Sequence, residues 1–193
     1  MDFLTPSQVA KLLQHLTNER HRLQVLLMAD GGLRVSEMIS LKWVDFDFRR
    51  KIIQVRSLKK KKEGIKREIP ISTRLYDELA QYIENNGRNS GYIFSTDGGK
   101  SHVTRQAVNK MLKQLELDLP ELPDLYPHLL RHSFATNLRA NGAELEDIRD
   151  ALGHEKLETS LIYAHQDPEK LRELIDGTNS PPHRWGGVGG GVW

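Results

Sequence analysis

Two β-favouring runs, Ile52-Ile53-Gln54-Val55 and Ile65 to Ile71, flank the block Lys59-Lys60-Lys61-Lys62, in a chain whose other apolar residues recur at helical spacing. They read as two strands of a small antiparallel sheet near the middle of the chain. The fold class is therefore mostly α with a small antiparallel β-sheet (α+β).

Helical signals fill the rest. Thr5-Pro6-Ser7-Gln8 is an N-cap, a proline at the first helical position and a capping-box glutamine, followed by Val9, Leu12, Leu13 and Leu16 on one face. A second helix is expected from about Glu19 to Asp30, ended by Gly31-Gly32, and a short one from Arg34 to Leu41. Ser72 to Asn86 carries Leu75, Leu79 and Ile83 at i, i+4, i+8, with Gly87 as C′ residue. Tyr92-Ile93-Phe94 reads as a further short strand, and Thr104 caps a helix to about Leu117. After the proline-punctuated stretch from Pro120 to Pro127, helices are expected at about His128–Ala140, Glu144–Leu152, Thr159–Ala164 and Pro168–Asp176.

The 193 residues, 38% of them hydrophobic, suit one globular domain, expected over 1–176, with 177–193 as a flexible Gly- and Pro-rich tail. No cysteine is present, which excludes disulfides, thiolate catalysis and Cys-ligated zinc and makes a cytoplasmic setting the expectation. No apolar run approaches the roughly 18 residues of a membrane span. Met1-Asp2-Phe3-Leu4-Thr5 lacks the basic and apolar regions of a secretory signal.

A net charge of +2 says little about partners, but its distribution says more. Ten Lys or Arg residues lie between Arg49 and Arg67, against the single acid Glu63. Such a block fits a phosphate-binding surface, with Lys59, Lys60, Lys61, Lys66 and Arg67 as candidate phosphate contacts, or equally a solvated hairpin tip.

Other polar groups sit where chemistry could use them. Arg34 follows Gly31-Gly32 at the start of a short helix, and Glu37, three residues on, could orient it; alone, the pair could be a surface ion pair. His128 and Arg131 occupy neighbouring azimuths of one helix, with Arg131 bordering the buried stripe Leu130, Phe134 and Leu138. A fixed guanidinium can grip two phosphate oxygens, and an imidazole can move a proton near neutral pH. His154 follows Leu152-Gly153, and Tyr163 lies among Ala164, His165, Gln166 and Asp167, which leave its hydroxyl accessible although an isolated tyrosine is ordinarily structural.

Together these residues resemble the tyrosine recombinase, or phage integrase, family. Gly31-Gly32-Leu33-Arg34-Val35-Ser36-Glu37 looks like its first arginine motif. His128-Leu129-Leu130-Arg131-His132 matches H-x-x-R, Leu152-Gly153-His154 matches L-G-H, and Tyr163 stands at the nucleophile position. Lys62 stands eight residues before Pro70, the register of the family's catalytic lysine, with Lys61 as the neighbouring alternative. Gly31 departs from the threonine or similar residue usual there. The family's separate N-terminal DNA-clamping domain has no room in this sequence, so the expectation is either an excised catalytic domain or a likeness to the short fimbrial-switch recombinases.

The resemblance implies the chemistry. Arg34, Arg131 and His154 would hold the non-bridging phosphate oxygens, Tyr163 would attack, His128 would act as base and Lys62 as acid. Glu37 would support them from behind. It implies a 3′-phosphotyrosine intermediate, no cofactor or metal, and a homo-tetramer on double-stranded DNA carrying a specific recombination site, at the nucleoid. The last helix, with Leu171, Leu174 and Ile175 on one face, suits docking on its own chain or on a neighbour. Three rivals remain: a zinc hydrolase using His128 and His132, weakened by Leu129 where the general base belongs; a catalytically silent DNA-binding relative; and a type IB topoisomerase-like enzyme that cleaves without exchange.

Overall fold

The computed structural model describes residues 2–56, 66–87, 91–153 and 168–179. Its elements are α1 (Pro6–His15), α2 (Glu19–Ala29), α3 (Val35–Ile39), a 3-10 turn (Trp43–Asp45), β1 (Phe46–Asp47), β2 (Ile52–Arg56), β3 (Lys66–Pro70), α4 (Thr73–Asn86), α5 (Arg105–Asp118), α6 (Pro127–Ala140), α7 (Leu145–Leu152) and α8 (Pro168–Asn179). The class is mostly α with a three-stranded antiparallel sheet in the order β1-β2-β3.

Local chemistry sets the helix starts. The Thr5 hydroxyl accepts from the Gln8 amide, and the Gln8 side chain accepts from the Thr5 amide at 2.9 Å, the reciprocal bonds of a capping box. Asn18, Ser72 and Thr104 cap α2, α4 and α5 in the same way with one side-chain oxygen each.

Helix α2 organises the packing. Its residues from Leu23 to Ala29 are all buried, so the rest of the domain surrounds this half of it, with α1, α3, α4 and α6 as neighbours. The large apolar cluster around it takes in Leu4, Leu12, Met38, Ile53, Ile69, Phe94, Leu112 and Leu130. A second, smaller cluster joins Phe134 and Leu138 of α6 to Ile148, Ala151 and Leu152 of α7 and to Leu171 and Ile175 of α8. Helix α6 serves both clusters, and Arg131 falls between its two sets of apolar residues.

The sheet differs from expectation at both margins. β1 is a two-residue strand, with Phe46 opposite Ile53, too short to show a period-two pattern in sequence. Tyr92-Ile93-Phe94 is not a strand: Tyr92 makes an isolated bridge to Lys42, and the Ile93 amide donates to the Leu41 carbonyl at 3.0 Å. Burial of Ile93 and Phe94, rather than strand pairing, explains their apolar character.

α8 lies on its own chain and runs past the expected end at Asp176. Asp176 accepts from the Thr73 amide at 2.7 Å and from its hydroxyl at 2.8 Å, and the Asn179 amide donates to buried Asp30 at 3.3 Å. These tertiary bonds carry the helix through Gly177.

The turn after α2 has little tolerance. Gly32 sits at φ +60°, and a Cβ there would lie 2.5 Å from Cδ1 of Phe134. Left-handed backbone and overpacking each cost about 1–3 kcal/mol. Gly32→Ala is therefore expected to lower stability by roughly 2–4 kcal/mol in chemical denaturation. A loss no larger than that of an ordinary surface substitution would refute the close contact.

Candidate active site

Glu37 is the hub of the site. It lies in the first turn of α3, is 4% exposed, and faces three arginines from three parts of the chain. The α3 N-cap is Arg34, whose amide donates to Oε2 of Glu37 at 2.7 Å and whose guanidinium reaches Oε1 at 2.9 Å. Arg67, from β3, donates to both carboxylate oxygens at 2.8 and 2.9 Å, the forked geometry that suits guanidinium to carboxylate. Arg131, from α6, stands 3.7 Å from Oε2, outside hydrogen-bonding distance.

Arg131 is held by backbone instead. One terminal nitrogen donates to the Gly32 carbonyl and the other to the Leu152 carbonyl at 2.6 Å. Those carbonyls end α2's following turn and α7, so Arg131 ties both to α6. The sequence placed it at the border of the buried stripe; it is inside, 4% exposed, because carbonyls far away in the chain supply its partners. Arg34 keeps 39% of its side-chain surface exposed.

Burial pushes the Glu37 carboxyl up, but the hydrogen bonds and charge of Arg67, with those of Arg34, outweigh it and hold the group below the usual glutamate range. Burial, together with repulsion from Arg34 and Arg67 against the attraction of Glu37, brings the Arg131 guanidinium down to about 10. It is charged at neutral pH and short of counter-charge. Among the described residues three guanidinium ions face one carboxylate, an excess of two positive charges, with Glu37 and Arg131 buried and Arg34 partly exposed.

The remaining expected residues divide clearly. His128 is exposed in the first turn of α6, one helical turn before Arg131. His132 is half-buried, its Nδ1 3.3 Å from the Thr136 hydroxyl. Among the described residues no group of three or more His, Asp or Glu side chains is arranged to hold a metal ion. Lys66 pairs with Arg56 at the edge of the described β2–β3 ladder. Lys59, Lys60, Lys61, Lys62, His154 and Tyr163 lie outside the described residues, as does the helix expected over 159–164.

Arg67 requires a correction. Grouped by sequence with the lysines as a DNA contact, it turns inward, 14% exposed, with all three nitrogens engaged by Glu37 and the Ala151 carbonyl. The missed signal was strand parity. Ile69 and Ile71 face the core, and the period of two puts Arg67 on the same side, while Glu68 points out to Arg50.

This mostly α domain, with its three-stranded sheet and arginine-lined centre, has the fold of tyrosine recombinase catalytic domains. The crystal structure of XerA recombinase superposes with a TM-score of 0.70 at 26% identity, over 94% of this chain and 66% of that one. A XerH site-specific recombinase bound to difH substrate in a pre-cleavage complex shares the fold, with a TM-score of 0.65 at 24% identity over 87% of this chain and 51% of that one. The chain belongs to the phage integrase family, whose model matches residues 2–170. The tyrosine recombinase XerA of Pyrococcus horikoshii is 35% identical over 179 residues, 90% of this chain and 60% of that protein. The chain thus spans about 60% of the length of this curated relative. No helix among the described residues is long and apolar enough to cross a membrane.

Proposed function

We propose that this chain is the strand-cleaving and rejoining domain of a site-specific recombinase, acting on double-stranded DNA with Tyr163 as nucleophile. The observation that carries the reading is the excess of two positive charges, among the described residues, on a partly buried cluster of arginines already fixed in place. A tyrosinate attacking a phosphodiester gives a transition state bearing about two negative charges, and donors fixed in place beforehand stabilise such charge best. Membership of the phage integrase family supports the same reading.

Each residue then has a role. Arg34 and Arg131 hold the non-bridging oxygens, joined by His154. Each terminal nitrogen of Arg131 has a second N–H beyond the one given to Gly32 or Leu152. His128 takes the proton from the Tyr163 hydroxyl as its oxygen bonds to phosphorus. The bond to the 5′-oxygen breaks, and Lys62, or its neighbour Lys61, protonates that oxygen. The product is a 3′-phosphotyrosine and a free 5′-hydroxyl, and attack by the 5′-hydroxyl of a partner strand reverses the step. Lys59, Lys60 and Lys66 contact the DNA backbone. Two duplexes supply four strands, so the working assembly is a homo-tetramer on DNA at the nucleoid. Integration, excision, inversion or resolution then depends on how the paired sites are arranged.

The test uses a nicked duplex bearing the site that this chain enriches from a random-sequence pool. The wild type is expected to form a denaturant-resistant protein–DNA adduct, and Tyr163→Phe none. An adduct with the Phe variant would refute the nucleophile; no adduct from the wild type, or no enriched sequence, would overturn the reading.

A further inference from the structure

We propose that Arg67 is a positioning residue of this centre, the counter-ion that takes up most of the Glu37 charge and so keeps Glu37 from closing on Arg131 and pairing more fully with Arg34. The inference rests on the strand-cleavage reading above. A buried carboxylate beside three guanidinium groups will pair with whichever offers the best geometry. In this structure the forked, two-bond pairing belongs to Arg67 alone, while Arg131 is left 3.7 Å away. The Arg67 fork engages both carboxylate oxygens of Glu37; Arg34 keeps a single guanidinium bond to Oε1, and Arg131 has none.

The same side chain fixes the turn that precedes His154. Nε of Arg67 donates to the Ala151 carbonyl at 3.1 Å, next to the Leu152 carbonyl held by Arg131. Two arginines from different elements thus grip consecutive carbonyls at the end of α7. Gly153 completes the seat: it adopts φ +63°, and a Cβ there would lie 2.8 Å from a terminal nitrogen of Arg67 and 2.9 Å from its Cδ. Only glycine lets the strand's arginine lie against that turn.

Without Arg67, Glu37 would pair more fully with Arg34 and close on Arg131, and the cluster would lose one of its two excess charges. Arg67→Ala is expected to slow adduct formation by about a hundredfold on an ordinary phosphodiester. On a duplex whose scissile phosphate is a methylphosphonate, which lacks the negative charge, the loss should shrink to no more than about tenfold. The double variant Arg67→Ala/Glu37→Gln restores the two excess charges and should recover most of the phosphodiester rate. Arg67→Lys, which keeps the charge but loses the fork, should fall between Arg67→Ala and wild type.

The experiment measures single-turnover adduct formation with both duplexes, alongside thermal unfolding of each variant. Equal losses on the two substrates, or no recovery in the double variant, would overturn the proposal by showing that Arg67 only supports the fold. If Arg67→Ala does not fold, Arg67→Lys and the double variant carry the same comparison. A wild type that forms no adduct would remove the cleavage reading, and this one with it; a wild type that does, beside an unaffected Arg67→Ala, would remove this one alone.

Discussion

Glu37→Ala is expected to cost about 3–5 kcal/mol of stability, the range found when one partner of a buried ion pair is removed. The reason is arithmetic of charge rather than loss of packing. Three guanidinium groups would remain around a cavity with no anion, and the Arg34 amide would lose its acceptor. In a domain of this size the melting temperature should drop by about 10 °C or more. Glu37→Gln should fall less far, since the amide oxygen can still accept from the Arg34 backbone. The pH dependence carries a matching sign. A carboxyl depressed in the folded state contributes stability that is fully present above its ordinary value of 4.5 and lost as pH falls through its lower folded value. The stability gap between wild type and Glu37→Gln should therefore narrow on acidification below about 4.5. A gap that is constant with pH would show that the Glu37 charge does not hold the cluster.

Arg131→Ala should lower the rate of adduct formation by about 10²–10³, the usual loss on deleting one preorganised donor. It also strips two buried carbonyls, of Gly32 and Leu152, of their partner, so part of the effect will appear as lost stability. Arg131→Lys separates the two. An ammonium can satisfy one carbonyl and keep the charge, but it cannot span carbonyls on two elements while presenting further N–H groups to a phosphate. The Lys variant should therefore melt closer to wild type yet remain slow in single-turnover cleavage. Wild-type rates in that variant would mean that Arg131 serves only the fold.

What the sequence revealed and what it hid follow a physical line. Features decided within a few residues were legible: the Thr5–Gln8 capping box, the starts of α4 and α5, and the proximity of Arg34 to Glu37. The family resemblance was legible too, because it rests on residue types in order along the chain. Features decided across the fold were not. Arg131 is deeper than its helical azimuth suggests because Gly32, 99 residues away in sequence, supplies an acceptor. Arg67 looked like one more cation beside a lysine run, and its two-residue offset from Ile69 was the only sign that it faces inward. β1 and the end of α8 depend on partners elsewhere: Ile52 and Ile53 for the strand, Asp30 and Thr73 for the helix.

The division of the core into two clusters has a consequence for how firmly the centre can be held. Arg34 and Glu37 stand on the thick cluster around α2, whereas the Leu152 carbonyl that orients Arg131 belongs to the one that is thin among the described residues, with eight buried side chains there shared among α6, α7, α8 and the loop residue Ala143. Local opening costs least where the fewest apolar contacts must be broken. Half of the arginine cluster is thus anchored in bedrock and half on a ledge, and, on the proposed function, the grip on phosphate would be only as steady as the seating of α8 against that ledge.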